Sequence, residues 1–283
     1  MSSFLKRQVS TAFRTVLGRK NTARLGRFLY NEACLSAGLY PDSLCDRLVQ
    51  TSVCEIARAS GTPAVIVDAG ANVGDWSRSF SRILTDAGVA HRIHAVEPFP
   101  ETYATLVQNL RSWNLEGIVK PFHGALSSAR GEHTFYSLGA NIGQNSLHPI
   151  PGMEARTAQS SVSCYPLDDL LESLGERELN YLKIDTEGHD LDVLHGASKL
   201  LAAGRVPLLQ FEYNHRWVVS RHFLRDAFEF LMPFGYRLGR ITRLGIEFYD
   251  AWHPELETFR EGNFLAARGD AARTFPTVPW WNR

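Results

Sequence analysis

From residue 64 onward, short runs of consecutive apolar residues alternate with stretches whose apolar positions recur every three or four residues. Runs of the first kind mark strands buried on both faces, and the second kind marks helices lying over them. Strands are predicted over residues 64–68, 92–97, 118–123, 181–185 and 206–213, and helices over 76–87, 100–113, 191–203 and 221–232. This alternation predicts an α/β fold with a mostly parallel sheet and helices on both faces. Right-handed crossovers then put the ligand site at the carboxyl ends of the strands. Two regions depart from the pattern. Residues 131–165 have strand-like ends around a Gly/Asn/Pro-rich middle, as an insertion or lid would. The tail "GYRLGRITRLGIEFYDAW" and "GNFLAAR" carries further strand runs, expected to finish the sheet with an antiparallel end. Residues 1–60 read as helical up to the break "SGTP", giving an N-terminal helical extension to one domain over 61–283.

Bulk composition narrows the classes without choosing among them. The 283 residues are 44% apolar and 21% charged with formal charge zero, the values of a soluble globular chain. No overall field favours nucleic acid, which is not an expected partner. The balance is uneven: residues 1–31 hold Lys6, Arg7, Arg14, Arg19, Lys20, Arg24 and Arg27 and no acid. That is either a solvated helical face or a peripheral contact with an anionic surface. Cys34, Cys45, Cys54 and Cys164 match neither a disulfide framework nor a paired metal motif, and are expected to be thiols in a reducing compartment. No apolar run would span a bilayer and the N-terminal segment lacks the apolar core of a secretory signal, so the expected location is cytoplasmic.

The candidate chemistry begins at "VIVDAGANVGDWSRSF". A dinucleotide fold wants GxGxxG facing a pyrophosphate. Here Asp68, Gly70, Asn72 and Gly74 stand at alternate positions, the third glycine is missing, and a carboxylate sits where a diphosphate would be repelled. A cation suits that place better. S-adenosylmethionine carries an ammonium and a sulfonium and no phosphate, so Asp68 is expected to meet the ammonium, directly or through water, with Gly70 and Gly74 allowing close backbone approach. The second strand ends "HAVEP", which puts Glu97 and Pro98 at its tip, the carboxylate ready to accept from both ribose hydroxyls. "HGALSS" closes the third strand and offers Ala125 and Ser127 to the adenine; Asn109 and Trp113 follow Glu97 at helical spacing and are further candidates to edge the adenine, Trp113 more readily as core packing.

The segments "VDAGANVGDWS", "AVEPFPETYATLVQNL", "GALSS", "LDDLL", "YLKIDTEGHDLDVLHGA" and "LQFEYN" resemble, in order, the FkbM family of S-adenosylmethionine-dependent methyltransferases. The resemblance runs over residues 64–214, with an echo in the tail. It implies a Rossmann-like, seven-stranded methyltransferase sheet and O-methylation of a hydroxyl on a sugar, glycoconjugate or natural product, so the expected partner is a small-molecule or glycan acceptor.

Transfer from a sulfonium needs an acceptor held in line and a way to take up its proton. The fourth and fifth strands end "YLKIDTEGHD" and "LLQFEYNH", which makes Asp185, Glu187, His189, Glu212 and His215 the candidate catalytic groups, Asp185 also lying within reach of the cofactor. Acids at these two strand ends look like the arrangement of metal-dependent O-methyltransferases, in which Asp185, Glu212 and Asn214 would offer hard oxygen ligands to Mg²⁺. A metal-free reading uses His189 or His215 as the base. In the insertion Asn141, Gln144, Asn145 and Ser146 are polar, as sugar recognition needs. Two rivals stand beside this reading: an NAD- or nucleotide-sugar-dependent Rossmann enzyme using Glu97 on a ribose, and a non-catalytic cofactor-binding module.

Overall fold

The run "AVIVDA" forms the strand around which the chain is assembled. In a computed structural model, which describes residues 3–34 and 42–282, β1 (Ala64–Ala69) is almost wholly buried. Its alternate side chains serve two cores: Ala64 and Ile66 pack on one face of the sheet, and Val67 and Ala69 on the other. α3 (Asp75–Asp86) and α4 (Pro100–Ser112) cover the first face, with β2 (His91–Glu97) and β3 (Val119–His123) extending the sheet beside them. The chain then returns to the other side of β1 as β7 (Tyr181–Ile184) and β8 (Leu208–Tyr213). The second face is covered by α5 (Leu167–Ser173), α6 (Asp190–His195), α7 (Ser198–Ala202), α8 (Trp217–Ser220) and α9 (Leu224–Leu231).

The strand order is β3-β2-β1-β7-β8, then β11 (Gly262–Arg268), β9 (Tyr236–Thr242) and β10 (Gly245–Tyr249). The first five are parallel; β11 is antiparallel to both neighbours, and β10 pairs antiparallel with β9. The mostly parallel sheet with an antiparallel end is thus as expected, with eight strands instead of seven. β10 is the addition, a hairpin partner folded onto the edge through Arg243 and Leu244. Direction of propagation reverses between β1 and β7, and a crevice opens outside their carboxyl ends at such a point.

The insertion also folds as read at its ends. β5 (Gly131–Ser137) and β6 (Ala158–Tyr165) form an antiparallel pair that β4 (Ala125–Leu126) joins, a second sheet of three strands. Other expectations need correcting. The helix expected over 191–203 is two short helices, because Gly196 lies against the Ser127 carbonyl, where an added Cβ would stand 2.1 Å from its oxygen. Asp168 then starts the next helix, its carboxylate accepting from Lys199 N and Leu200 N at 2.9 and 3.0 Å.

The N-terminal region is helical, but it is not one appendage. α2 (Asp42–Ser60) buries Val49, Val53, Cys54 and Ala57 in the same core as Ile66, Phe80 and Leu84. The boundary expected at residues 60 and 61 therefore cuts through a core. α1 (Ser3–Ala33) is different: it breaks at Gly18 (φ 71°, ψ 161°) and leaves Val9, Phe13, Val16, Phe28 and Leu29 exposed beside Lys6, Arg7, Arg19, Lys20, Arg24 and Arg27. Cys34, Cys54 and Cys164 are buried free thiols; the side chain of Cys45 lies outside the described residues. Among the described residues no helix is long and apolar enough to cross a membrane.

Candidate active site

The turn after β1 is held by backbone first. Gly70 N and Ala71 N both donate to Val96 O, at 3.1 and 2.9 Å, which ties the turn to β2. Gly70 has φ 83°, and a Cβ there would sit 1.9 Å from the Asp185 carbonyl oxygen; Gly74 has φ 92°, and its Cβ would meet Leu106 at 2.6 Å. These glycines let the turn pack on β7 and α4, a different service from the bare approach to a ligand that the sequence suggested. Asn109 belongs to the same scaffold, its Nδ2 donating to Val73 O at 2.9 Å, and Trp113 packs under the Arg78 guanidinium.

Asp68 needs the clearest correction. It is fully buried below the turn, where Ser77 Oγ donates to it at 2.7 Å and Lys183 Nζ at 3.2 Å, and it does not line the cavity above. A direct contact with a ligand's ammonium is closed to it. Lys183 also reaches Asp185 Oδ2 at 3.3 Å, so one buried cation joins the hidden carboxylate to a half-exposed one. Burial works against the Lys183 charge, but the two carboxylates outweigh it and hold the ammonium pKa above its ordinary value.

Above the turn lies a cavity of about 60 Å³. Gly70, Asn72, Glu97, Pro98, Ala125, Asp185, Glu187 and His189 line it, as do Thr102, Leu126, Phe135, Ile142, Leu147 and Thr186. Glu97 is buried in the wall, with Asn72 N donating to one carboxylate oxygen at 2.9 Å and Phe99 N to the other at 3.0 Å. Each oxygen keeps a lone pair for a further donor. Burial pushes the Glu97 pKa up to about 7 against the pull of those two N–H groups. Two buried polar atoms in the same wall, Asn72 Oδ1 and Thr186 Oγ1, have no partner among the described residues. Unpaired buried polar atoms are costly, and a polar ligand would satisfy them. Ser127, expected at the adenine, lies behind the wall and shares a hydrogen bond with His189 Nε2 at 3.0 Å.

A second cavity of about 310 Å³ adjoins the first, lined by Gln144, Ile150, Met153, Glu187, Glu212, Asn214, His215, Arg216 and Glu261. Glu187 belongs to both walls. It follows Asp185 on a strained turn (φ 56°), and Arg216 Nε pairs with its Oε2 at 2.8 Å. Burial raises its pKa to about 7 although Arg216 pulls it down. Glu212 goes further, to about 10, through burial and the crowding of Asp185, Asp190 and Glu187; it keeps its proton near neutrality.

Of the expected ligand set of Asp185, Glu212 and Asn214, the amide of Asn214 is already engaged at both ends. Asn214 Oδ1 accepts from Arg216 N at 2.8 Å, and its Nδ2 donates to Glu212 at 2.7 Å. Glu187 stands in its place: carboxylate oxygens of Asp185, Glu187 and Glu212 lie within 4.8 Å of one another. That is the donor type Mg²⁺ takes, with Arg216 already answering the charge of Glu187. In the insertion, Gln144 reaches the second cavity, whereas Asn145 spends its amide on Leu138 N and Gly139 O, and Ser146 donates to Glu187 O at 2.8 Å. The backbone N–H of Asn141 donates to Thr102. Thr186 lies inside the quoted run "YLKIDTEGHD" but was given no role there, and the apolar cavity wall carried no pattern in the sequence.

A family model described as the methyltransferase FkbM domain matches residues 68–238. The hexuronic acid methyltransferase AglP of Haloferax volcanii is 32% identical over 137 residues, 48% of this chain and 51% of its own length. Methyltransferase 1 of Beauveria bassiana is 29% identical over 146 residues, covering 46% and 57% respectively. The chain thus spans about half the length of the curated relatives it matches. Among solved structures, a methyltransferase FkbM from Methylobacillus flagellatus superposes with a TM-score of 0.46 at 15% identity, over 72% of this chain and 43% of that one. The matched segment runs from Asp68 to Leu238 in β9 and takes in every residue named in the two cavity walls except Glu261, so the chain belongs to the FkbM methyltransferase domain family.

Proposed function

We propose that the chain transfers a methyl group from S-adenosylmethionine to a hydroxyl of a sugar-like acceptor. The observation that carries this reading is Glu187 in the wall common to two cavities, one suited to the cofactor and one to the acceptor. When bound, S-adenosylmethionine supplies a sulfonium methyl whose bond to sulfur breaks as the acceptor oxygen attacks, the electron pair staying on sulfur. Glu97 accepts the two ribose hydroxyls on the lone pairs its backbone donors leave free. Asn72 Oδ1 and Thr186 Oγ1 take the polar groups they lack.

Glu187, with a pKa of about 7, is matched to a general base working near neutrality. It takes the acceptor's hydroxyl proton, while Arg216 fixes its orientation. Glu212, still protonated, donates a hydrogen bond into the acceptor cavity instead of serving as the base or metal ligand the sequence suggested. The polar lining from Gln144, His215 and Arg216 supports a polyhydroxylated acceptor, and so does the hexuronic acid named for the Haloferax relative.

The test separates binding from chemistry. Glu187→Gln is expected to lower kcat by about 10²–10⁴-fold on a uronic acid glycoside and to leave S-adenosylhomocysteine affinity unchanged by calorimetry. Near-normal turnover of Glu187→Gln would remove the assignment of the base. Failure of S-adenosylhomocysteine to bind the wild type at all would remove the whole reading.

A further inference from the structure

At the edge of the first cavity, which His189 lines, three separate segments bring a nitrogen-rich cluster together. His148 comes from the connection between β5 and β6, His189 and Asp192 from the start of α6, and His222 from the segment after α8. His148 Nε2 lies 3.0 Å from His189 Nδ1, and His189 Nδ1 lies 3.3 Å from Asp192 Oδ2. His222 Nδ1 stands 3.9 Å from that same carboxylate oxygen.

Proton bookkeeping at this point does not close with hydrogen bonds. His148 Nε2, His189 Nδ1 and Asp192 Oδ2 all lie within 4.8 Å of one another and each carries a lone pair. A single N–H on His189 Nδ1 can serve one of its two neighbours and leaves the other facing a lone pair. The buried Nδ1 of His222 has no hydrogen-bond partner among the described residues.

A cation resolves the arrangement. Four ligands at about 2.0–2.1 Å around Zn²⁺ stand about 3.3 Å apart along each tetrahedral edge, which the two shortest separations here nearly match. Outer partners are in place as well: Ser127 Oγ faces His189 Nε2 at 3.0 Å, and Ser128 Oγ donates to Asp192 Oδ1 at 3.4 Å. A ligating imidazole is commonly held in this way through its second nitrogen. Asp192 and His222 are about one-fifth exposed, which leaves an ion a way in.

We propose that His148 Nε2, His189 Nδ1 and Asp192 Oδ2 form a binding site for a divalent transition metal of the Zn²⁺ class, with the fourth position left to solvent. The site is separate from the acidic trio at the cavity junction, and it fastens the connection carrying Ile142, Asn145 and Leu147 over the cofactor cavity. Its role is structural, and it does not depend on the methyl-transfer reading.

The experiment uses the untagged full chain, stripped with chelator and titrated with Zn²⁺ and with Co²⁺. One ion per chain is expected, with the intense visible absorption of four-coordinate Co²⁺. His148→Ala and Asp192→Asn should each weaken Zn²⁺ binding at least a hundredfold, and Ser127→Ala about 10–100-fold. Asp185→Asn, in the acidic trio, should leave Zn²⁺ affinity unchanged. Lack of saturable Zn²⁺ binding by the wild type, a six-coordinate Co²⁺ spectrum, or wild-type affinity in Asp192→Asn would each overturn the site, as would loss of binding in Asp185→Asn. The Co²⁺ spectrum of the wild type decides the matter even if a ligand variant fails to fold.

Discussion

Lys183 and Glu97 show how a buried charge is made tolerable in two different ways. Lys183 is 6% exposed and sits between Asp68 and Asp185, so its ammonium is answered on both sides. Removing it strands the Asp68 carboxylate in the core. Lys183→Met is therefore expected to cost about 3–5 kcal/mol in denaturant unfolding, and adding Asp68→Asn to it should recover part of that loss. Glu97 has backbone donors and no cation, and burial leaves its pKa near 7. The sign follows. As pH rises from the ordinary carboxylate range through about 7, the folded state loses the stability this group contributed in its protonated form. Affinity for S-adenosylhomocysteine should move the opposite way, because the ionised carboxylate is the better acceptor for the ribose hydroxyls. Calorimetry is expected to give about tenfold tighter binding at about pH 8 than at about pH 6, and Glu97→Gln should flatten that dependence. A pH dependence that survives in Glu97→Gln would point to another group.

At the scale of elements, α1 and α2 separate. Removing residues 1–41 takes away a helix whose apolar side chains are largely exposed, whereas removing residues 1–60 also strips Val49, Val53, Cys54 and Ala57 from the core. The shorter deletion should keep a cooperative unfolding transition by circular dichroism, and the longer one should lose it. Should α1 serve as a surface anchor, the shorter deletion is also expected to abolish salt-sensitive association with anionic vesicles. These elements also mark how far the sequence could be read. β1, β2, β7 and β8 were legible because near-continuous apolar runs have few other uses, and the ends of the insertion were legible as strands. The break between α6 and α7 was hidden, since it depends on the Ser127 carbonyl passing Gly196, a contact from a segment about seventy residues away in sequence. The site divides in the same way. Glu97 and Asp185 stood at strand tips, where position alone suggests a role, but the burial of Asp68 beneath the turn was hidden because its partner Lys183 could not be paired with it from spacing. His148 had no signal, being one histidine in a long loop.

For the whole molecule, what counts is that β1 lies between β2, which follows it directly, and β7, which comes much later. Asp68 and Lys183 are 115 positions apart, and they touch across that join. The same holds above them: Glu97 belongs to the early half, and Asp185, Thr186 and Glu187 to the late half. Pairings over such separations form slowly, because a long loop must close before they contribute. In a chain made from its N-terminus, the first three strands and their helices emerge with a carboxylate facing inward and no cation to meet it. The nascent half-sheet therefore carries a built-in penalty against closing early, and that penalty lifts only when the "YLKID" strand slides in beside β1. The strand that answers Asp68 is also the one whose tip supplies Asp185, Thr186 and Glu187, so closing the sheet and completing the cavity wall call on the same piece of chain.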